Sequence, residues 1–332
     1  MAKIINWGIL GCGKIARKFV SDLKLVKDAK LYAVASRNNQ NAESFANEFN
    51  AIAHYDNYED LVADKNLDVI YIATPHNLHF ENTILCLQHQ KAVLCEKPFA
   101  MNLKQVEEMI RTAKEKKVFL MEAMWSKFLP HFNKTLEIIN TRKLGELSSI
   151  LVNFGFKPQE PVAQRIFDPA LGGGTMMDIG IYNVFLVLSI LGKPDEIIAH
   201  MDPSSSGVDE QCAVLFRYKN GKMAQLFSTF RSNLPTEADI AGSEGTLKLT
   251  NRFYEPSATI RFFKNTIKES EEIPVERSEG FGYHYEAAHV TKCIQDGLTE
   301  SPVMTFKDSE LLIETLDKIR SIAGIHYPAD SE

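Results

Sequence analysis

The chain has 332 residues, enough for about two domains. Hydrophobic residues make up 45% and charged residues 24%, a globular composition that excludes a disordered or fibrous protein. Forty-three acidic residues against 37 basic ones leave a net charge of −6, which argues against a partner made of nucleic acid.

The amino terminus, Met1-Ala-Lys-Ile-Ile-Asn6, has too short an apolar run for a signal peptide. The most apolar stretch, 181–191, contains Asn183 and Ser189 and falls short of the ~18–20 residues that span a bilayer. The expectation is a cytoplasmic protein with no membrane partner. Cys12, Cys86, Cys95, Cys212 and Cys293 are scattered without a C-x-x-C pair, so buried thiols are expected and no metal site.

Strand-like and helix-like segments alternate from the start. Residues 3–10 read as a buried strand, followed by Gly11-Cys-Gly13-Lys-Ile-Ala16 and a helix running to 25. Strands are expected at 30–35, 51–55, 68–73, 92–95 and 118–121, with helices at 41–49, 58–62, 80–88 and 103–116. This order predicts a doubly wound parallel sheet of the Rossmann kind over residues 1–123.

The glycine turn is the first chemical signal. Gly11 permits the tight exit from the strand, Gly13 leaves room for a pyrophosphate, and Ala16 allows close helix–strand packing. The N–H groups and positive end of the helix that begins at Cys12, Lys14 and Ile15 then favour phosphate. The place about 20 residues further on, where a carboxylate would bind the 2′-hydroxyl of NAD, holds Ser36 and Arg37. Ser36 can hydrogen-bond a 2′-phosphate and Arg37 can pair with it, so NADP is favoured over NAD.

Two further turns follow strands at their carboxyl ends, where open parallel sheets bind ligands. Thr74-Pro75-His76-Asn-Leu-His79 is placed to touch the nicotinamide ribose or the substrate. Glu96-Lys97-Pro98 brings a lysine to the mouth of the nicotinamide crevice, where it can polarise a hydroxyl or carbonyl or depress the pKa of a neighbouring acid.

From 124 to 332 the pattern changes. A helix at 131–142 precedes strands at 147–156, 196–200, 211–218, 223–230, 237–241, 245–249 and 259–263, and two helices at 283–295 and 307–323 close the chain. Asn220-Gly221 is a hairpin signal, and the whole predicts an α+β domain with a large, mostly antiparallel open sheet.

Within it, Gly172-Gly-Gly174 reads as a flexible, close-approach loop before a helical stretch that carries Asp178 and Tyr182. Their i, i+4 spacing puts them on one helix face. If that face meets the crevice, Lys97 lowers the pKa of Tyr182 from ~10 and makes it a proton donor–acceptor for a substrate hydroxyl. Asp178 would bind a neighbouring hydroxyl or hold Lys97. Trp125 and Phe154 offer apolar walls for a ring, and Arg165 offers hydrogen bonds to substrate hydroxyls.

The ordered set Gly11-x-Gly13, Ser36-Arg37, Thr74-Pro75-x-x-x-His79, Glu96-Lys97-Pro98 and Gly172-Gly-Gly174-x-x-x-Asp178-x-Gly180-x-Tyr182 resembles the Gfo/Idh/MocA oxidoreductases. Glu122-Ala-Met-Trp125-Ser-Lys-Phe-Leu-Pro130, and Tyr182 where many relatives carry His, bring it nearest the dimeric dihydrodiol dehydrogenase branch. The resemblance implies NADP or NAD as cofactor, a cyclic alcohol or sugar as substrate, and a homodimer or higher homo-oligomer formed through the second sheet.

Overall fold

The computed structural model describes residues 3–265 and 270–331. It divides into two compact units, Met1–Phe128 with Ser278–Glu310, and Leu129–Arg277 with Leu311–Glu332. The chain therefore leaves the first unit and returns to it, which a single division at 123/124 does not describe.

The first unit is built on β1 (Ile5–Leu10), β2 (Ala29–Ala35), β3 (Ala53–Tyr55), β4 (Val69–Ile72), β5 (Ala92–Glu96) and β6 (Leu120–Ala123). All neighbours pair in parallel, in the order β3-β2-β1-β4-β5-β6. The connecting helices are α1 (Lys14–Leu23), α2 (Asn39–Phe49), α3 (Tyr58–Ala63), α4 (His79–Gln88) and α5 (Leu103–Lys116). β4 and β5 are buried along their whole length, as strands covered by helices on both faces must be. The order reverses between β1 and β4, so a ligand crevice is expected there, at the strand carboxyl ends.

The returning helix α8 (Tyr283–Gln295) packs on α1. Its own N-cap, Gly282, supplies no side-chain bond. Asp22 of α1 does so instead, accepting from the backbone N–H groups of Phe281 and Tyr283 at 2.8 Å each. One buried carboxylate thus satisfies the start of a helix some 260 residues away in sequence, and nothing in local pattern reveals it.

The second unit contains α6 (Pro130–Asn140), β7 (Leu147–Gly155), α7 (Ile181–Leu191) and then seven strands. These are β8 (Glu196–Pro203), β9 (Asp209–Arg217), β10 (Met223–Thr229), β11 (Ala238–Gly242), β12 (Gly245–Thr250), β13 (Thr259–Lys264) and β14 (Ser270–Ile273). Their order is β14-β13-β12-β11-β7-β10-β9-β8, antiparallel except for the β7–β10 pair. The polar strand β14 is absent from the sequence-based reading, because Ser270-Glu-Glu-Ile273 has no apolar alternation to mark it.

α7 packs on β7 and β10, so one sheet face is covered. On the other face, Ile198, Leu215, Gln225 and Leu151 stand side by side across four strands in register, and Ile198 and Leu151 are 53% and 48% exposed. Residues Pro169–Leu191 are long and apolar enough to cross a membrane by length and composition. The stretch is 78% buried within the protein over its most apolar window, as a core helix is. The final helix, α9 (Phe306–Ala323), precedes a short helical turn at Pro328–Ser331.

Candidate active site

In the first unit the site begins where β1 turns into α1. Gly11 has φ +100°, and a Cβ there would press within 3.0 Å of the Ala73 backbone at the end of β4. Gly13 is different. A Cβ on it would touch only the Ala73 carbonyl, at 3.9 Å, so the space above it is open. The first turn of α1 carries no side-chain cap and no acidic residue. Its N–H groups and exposed Lys14 make a cradle that a pyrophosphate fits, which is the test the chain must pass to hold a dinucleotide.

Cys12 points the other way. Its thiol lies against the Ala35 carbonyl at 3.5 Å, and burial pushes it up to about 12, so any contact from this residue to a dinucleotide is through its backbone. Ile15 is half-buried in the same turn.

At the end of β2, Ser36 is buried and receives Asn41 Nδ2 at 3.2 Å and the backbone N–H of Asn38 at 3.3 Å. Arg37 is exposed, and its guanidinium acts on the nearby Tyr58 hydroxyl, whose pKa burial raises and the guanidinium lowers. Tyr58 and Asn41 were not singled out in the sequence because a tyrosine and an amide opening helices carry no distinctive pattern.

The turn after β4 holds Thr74, Pro75 and His76, all near the strand's carboxyl end. Thr74 Oγ1 accepts from Asn82 at 3.2 Å. His79 is set deeper than the rest of this turn. It is fully buried, with Nδ1 2.8 Å from the Pro98 carbonyl and Nε2 2.9 Å from the Thr74 carbonyl. Both ring nitrogens face backbone carbonyls, so His79 ties the β4 and β5 turns together.

Glu96 is likewise a holder. The Tyr71 hydroxyl donates to its Oε1 and the Lys97 backbone N–H to its Oε2 at 3.3 Å. Burial raises its pKa, while the Tyr71 bond and the Lys97 ammonium lower it. Lys97 is half-buried, followed by a cis peptide to Pro98, and its charge also reaches His79 and Glu122. Glu122, in β6, is 2% exposed and accepts from the Phe99 backbone N–H at 3.1 Å. A lone carboxylate in the apolar run Leu-Met-Glu-Ala was the available signal for it. Trp125 is buried, with one face stacked on Tyr283 at 4.5 Å.

In the second unit, Gly172-Gly-Gly174 is packed rather than flexible. Gly173 and Gly174 donate to the carbonyls of Asp168 and Ile166 at 2.9 and 2.8 Å, and a Cβ on Gly173 would fall within 2.8 Å of three backbone atoms. The following segment is not simply α-helical. Met176–Gly180 forms a π-helical turn before α7 begins at Ile181. Asp178 lies in that wider turn and Tyr182 beyond it, so they are not plain α-helical i, i+4 neighbours.

Arg165 reaches Asp178 at 3.2 Å, pairing two residues that the sequence had placed in separate roles. Tyr182 is 7% exposed, and its ring sits 4.9 Å from Tyr254 and 6.0 Å from Phe154. Phe154 in turn stacks on Tyr254 at 4.4 Å and is 3% exposed, which makes it a support for Tyr182 rather than an open wall. Among the described residues no group of three or more His, Cys, Asp or Glu is arranged to hold a metal ion.

A glycine cradle at a parallel-sheet switch point in one unit, and a large open sheet in the other, are features of an oxidoreductase that binds a nicotinamide dinucleotide. The family models agree. The oxidoreductase family model with an NAD-binding Rossmann fold matches residues 5–124, and the GFO/IDH/MocA C-terminal domain matches residues 132–248. The chain belongs to the GFO/IDH/MocA family.

Trans-1,2-dihydrobenzene-1,2-diol dehydrogenase from Xenopus tropicalis is 35% identical over 330 residues, covering 97% of this chain and 99% of that one. The aldose-aldose oxidoreductase of Caulobacter crescentus superposes with a TM-score of 0.88 at 21% identity, over 97% of this chain and 98% of that one. KijD10, a 3-ketoreductase from Actinomadura kijaniata solved with NADP, has a TM-score of 0.85 at 23% identity, over 96% and 98%.

The burial of Glu122 has a measurable consequence. Desolvation raises its pKa from 4.5 to about 7, against the opposing pull of its hydrogen bonds and of Lys97. A carboxyl group with a raised folded-state pKa binds its proton more tightly folded than unfolded. Stability therefore falls as pH rises from about 4.5 to about 7 and is level above that. Glu122→Gln keeps an acceptor for Phe99 N–H and removes the titration. Urea denaturation at pH 8 is expected to find the variant more stable by on the order of 3 kcal/mol, with no gain at pH 4.

Proposed function

We propose that the protein is an NADP-preferring dehydrogenase or reductase acting on the secondary hydroxyl of a cyclic diol or sugar. The observation that carries this reading is the end of β2, where Ser36 and exposed Arg37 stand in the place of a carboxylate. An acidic residue there would repel a 2′-phosphate, whereas Arg37 attracts one. Charge-assisted bonds of this kind contribute about 1.5–3 kcal/mol. Arg37→Ala is therefore expected to raise KM for NADP+ by about tenfold or more and to leave KM for NAD+ within about twofold. An equal rise for both would remove the 2′-phosphate contact from the reading.

For the chemical step, the carbinol carbon loses a hydride to the nicotinamide, which is the chemistry the cofactor supplies. The hydroxyl loses its proton at the same carbon. Tyr182 takes that proton on its phenol oxygen, and Lys97 supplies the positive charge that favours the phenolate. Asp178, oriented by Arg165, accepts a hydrogen bond from a neighbouring substrate hydroxyl.

The likeness to dihydrodiol dehydrogenases makes trans-1,2-dihydrobenzene-1,2-diol the first substrate to test, with pyranoses, anhydrosugars and inositols beside it. NADPH formation is read by absorbance. Lys97→Met and Tyr182→Phe are each expected to lower turnover about 10²–10⁴-fold with NADPH binding retained. Wild-type turnover by either one removes that residue from the step.

We also propose a homo-oligomer, with a second copy covering the open face marked by Ile198, Leu215 and Leu151. Light scattering is expected to give a multiple of 37.4 kDa, and a monomer mass overturns this.

A further inference from the structure

One buried carboxylate of the second unit has no part in the chemistry just described. Asp209 opens β9 and is fully buried. Its Oδ2 accepts from Thr175 Oγ1 at 2.5 Å and from the Met176 backbone N–H at 2.7 Å. Those are the residues that start the π-helical turn, and the turn's own N-cap supplies no side-chain bond. Thr175 Oγ1 also accepts from Ser228 of β10 at 3.1 Å, so the anchor reaches a second strand.

The chain is shaped around this carboxylate. Gly174 has φ +106°, and a Cβ there would collide with Asp209 Oδ1. Tyr327, brought in by the carboxy-terminal segment, donates to the Gly173 carbonyl at 2.5 Å. The glycine run therefore accommodates an internal anchor, and its third member is small because Asp209 occupies the space.

A buried charge is an expensive way to cap a turn. Arg320 is the cation that acts on Asp209, and its guanidinium is already bonded to Asp317 at 2.5 Å and Asp330 at 3.0 Å. Tyr327 and Cys212 also feel the Asp209 charge. What the carboxylate gains is position. Asp178 lies two residues beyond Met176 and Tyr182 six beyond, so a shift of this first turn moves both.

We propose that Asp209 is a positioning residue for the hydride-transfer centre: its carboxylate fixes the start of the π-helical turn and, through it, the placement of Asp178 and Tyr182. The inference rests on the roles given to those two residues above.

The test uses the full-length protein, NADP+ and whichever substrate of the panel is oxidised fastest. Asp209→Ala is expected to lower kcat about 10–100-fold, as misplacement of a reacting group by about 1 Å does. NADPH binding, read by fluorescence, and KM for NADP+ should stay within about twofold, since those groups lie in the first unit. Asp209→Asn, which keeps an acceptor oxygen and the shape, is expected to recover part of the loss, and it answers the question if the alanine variant does not fold. Added to an Asp178→Asn/Tyr182→Phe protein, Asp209→Ala should cost less than about twofold further, because the groups it positions are gone. Near-wild-type kcat in both single variants, or losses that multiply in the combined protein, overturn the proposal. Wild-type turnover by Asp178→Asn/Tyr182→Phe overturns the roles of those two residues instead, and the kcat of Asp209→Ala alone then decides the anchor.

Discussion

Parallel pairing delivers the carboxyl ends of all six strands to one edge of the first sheet, and the chemistry of that unit depends on this constraint. Gly11 leaves β1 there, Ser36 and Arg37 leave β2, Thr74 follows β4, and Glu96 ends β5 next to Lys97. None of these segments is long, and none needs to be. The sheet sets where each turn starts, and a few backbone bonds set where it goes. Gly11 N–H is bound by the Ala35 carbonyl at 3.0 Å and Ala73 N–H by the Leu10 carbonyl at 2.9 Å, so the cradle is an extension of the sheet ladder.

Buried polar side chains then lock these turns to one another. Asp22 holds the start of α8, His79 joins the Thr74 and Pro98 carbonyls, Glu96 takes Tyr71 and the Lys97 N–H, and Glu122 takes Phe99 N–H. Each removes a charged or polar group from water, which is unfavourable by itself. Each also satisfies a backbone or side-chain partner that would otherwise be buried alone, at a cost of about 1–3 kcal/mol. The pKa directions reflect the conflict: burial raises Glu96 and Glu122, and only part of that is offset by donors and by Lys97.

What the sequence made legible follows from how local the causes are. The strands β1, β2, β4 and β5 and the helices between them were readable because buried strands and amphipathic helices have distinct periods. Ser36-Arg37 was readable because a missing carboxylate is visible at one position. The π-helical turn was not, since five residues with i→i+5 bonding have the same composition as an α-helical turn. Nor was the packing of Gly172-Gly-Gly174: the backbone of the preceding loop holds Gly173 and Gly174, while Asp209 and Tyr327, far along the chain, confine Gly174 and bind the Gly173 carbonyl. The burial of His79 has a related cause. A histidine after a strand looks available until Pro98, on another turn, is found to occupy its second nitrogen.

Similar contacts fix side chains in each unit without a long loop. In the first, Glu96 fixes the backbone N–H of Lys97. In the second, Tyr254 and Phe154 wall the ring of Tyr182, and Arg165 holds Asp178. Side chains already held in one rotamer lose little entropy when a substrate binds, so more of the binding interaction remains for the reaction. The same scaffold recurs in proteins that differ widely in sequence yet superpose with this chain over nearly its whole length.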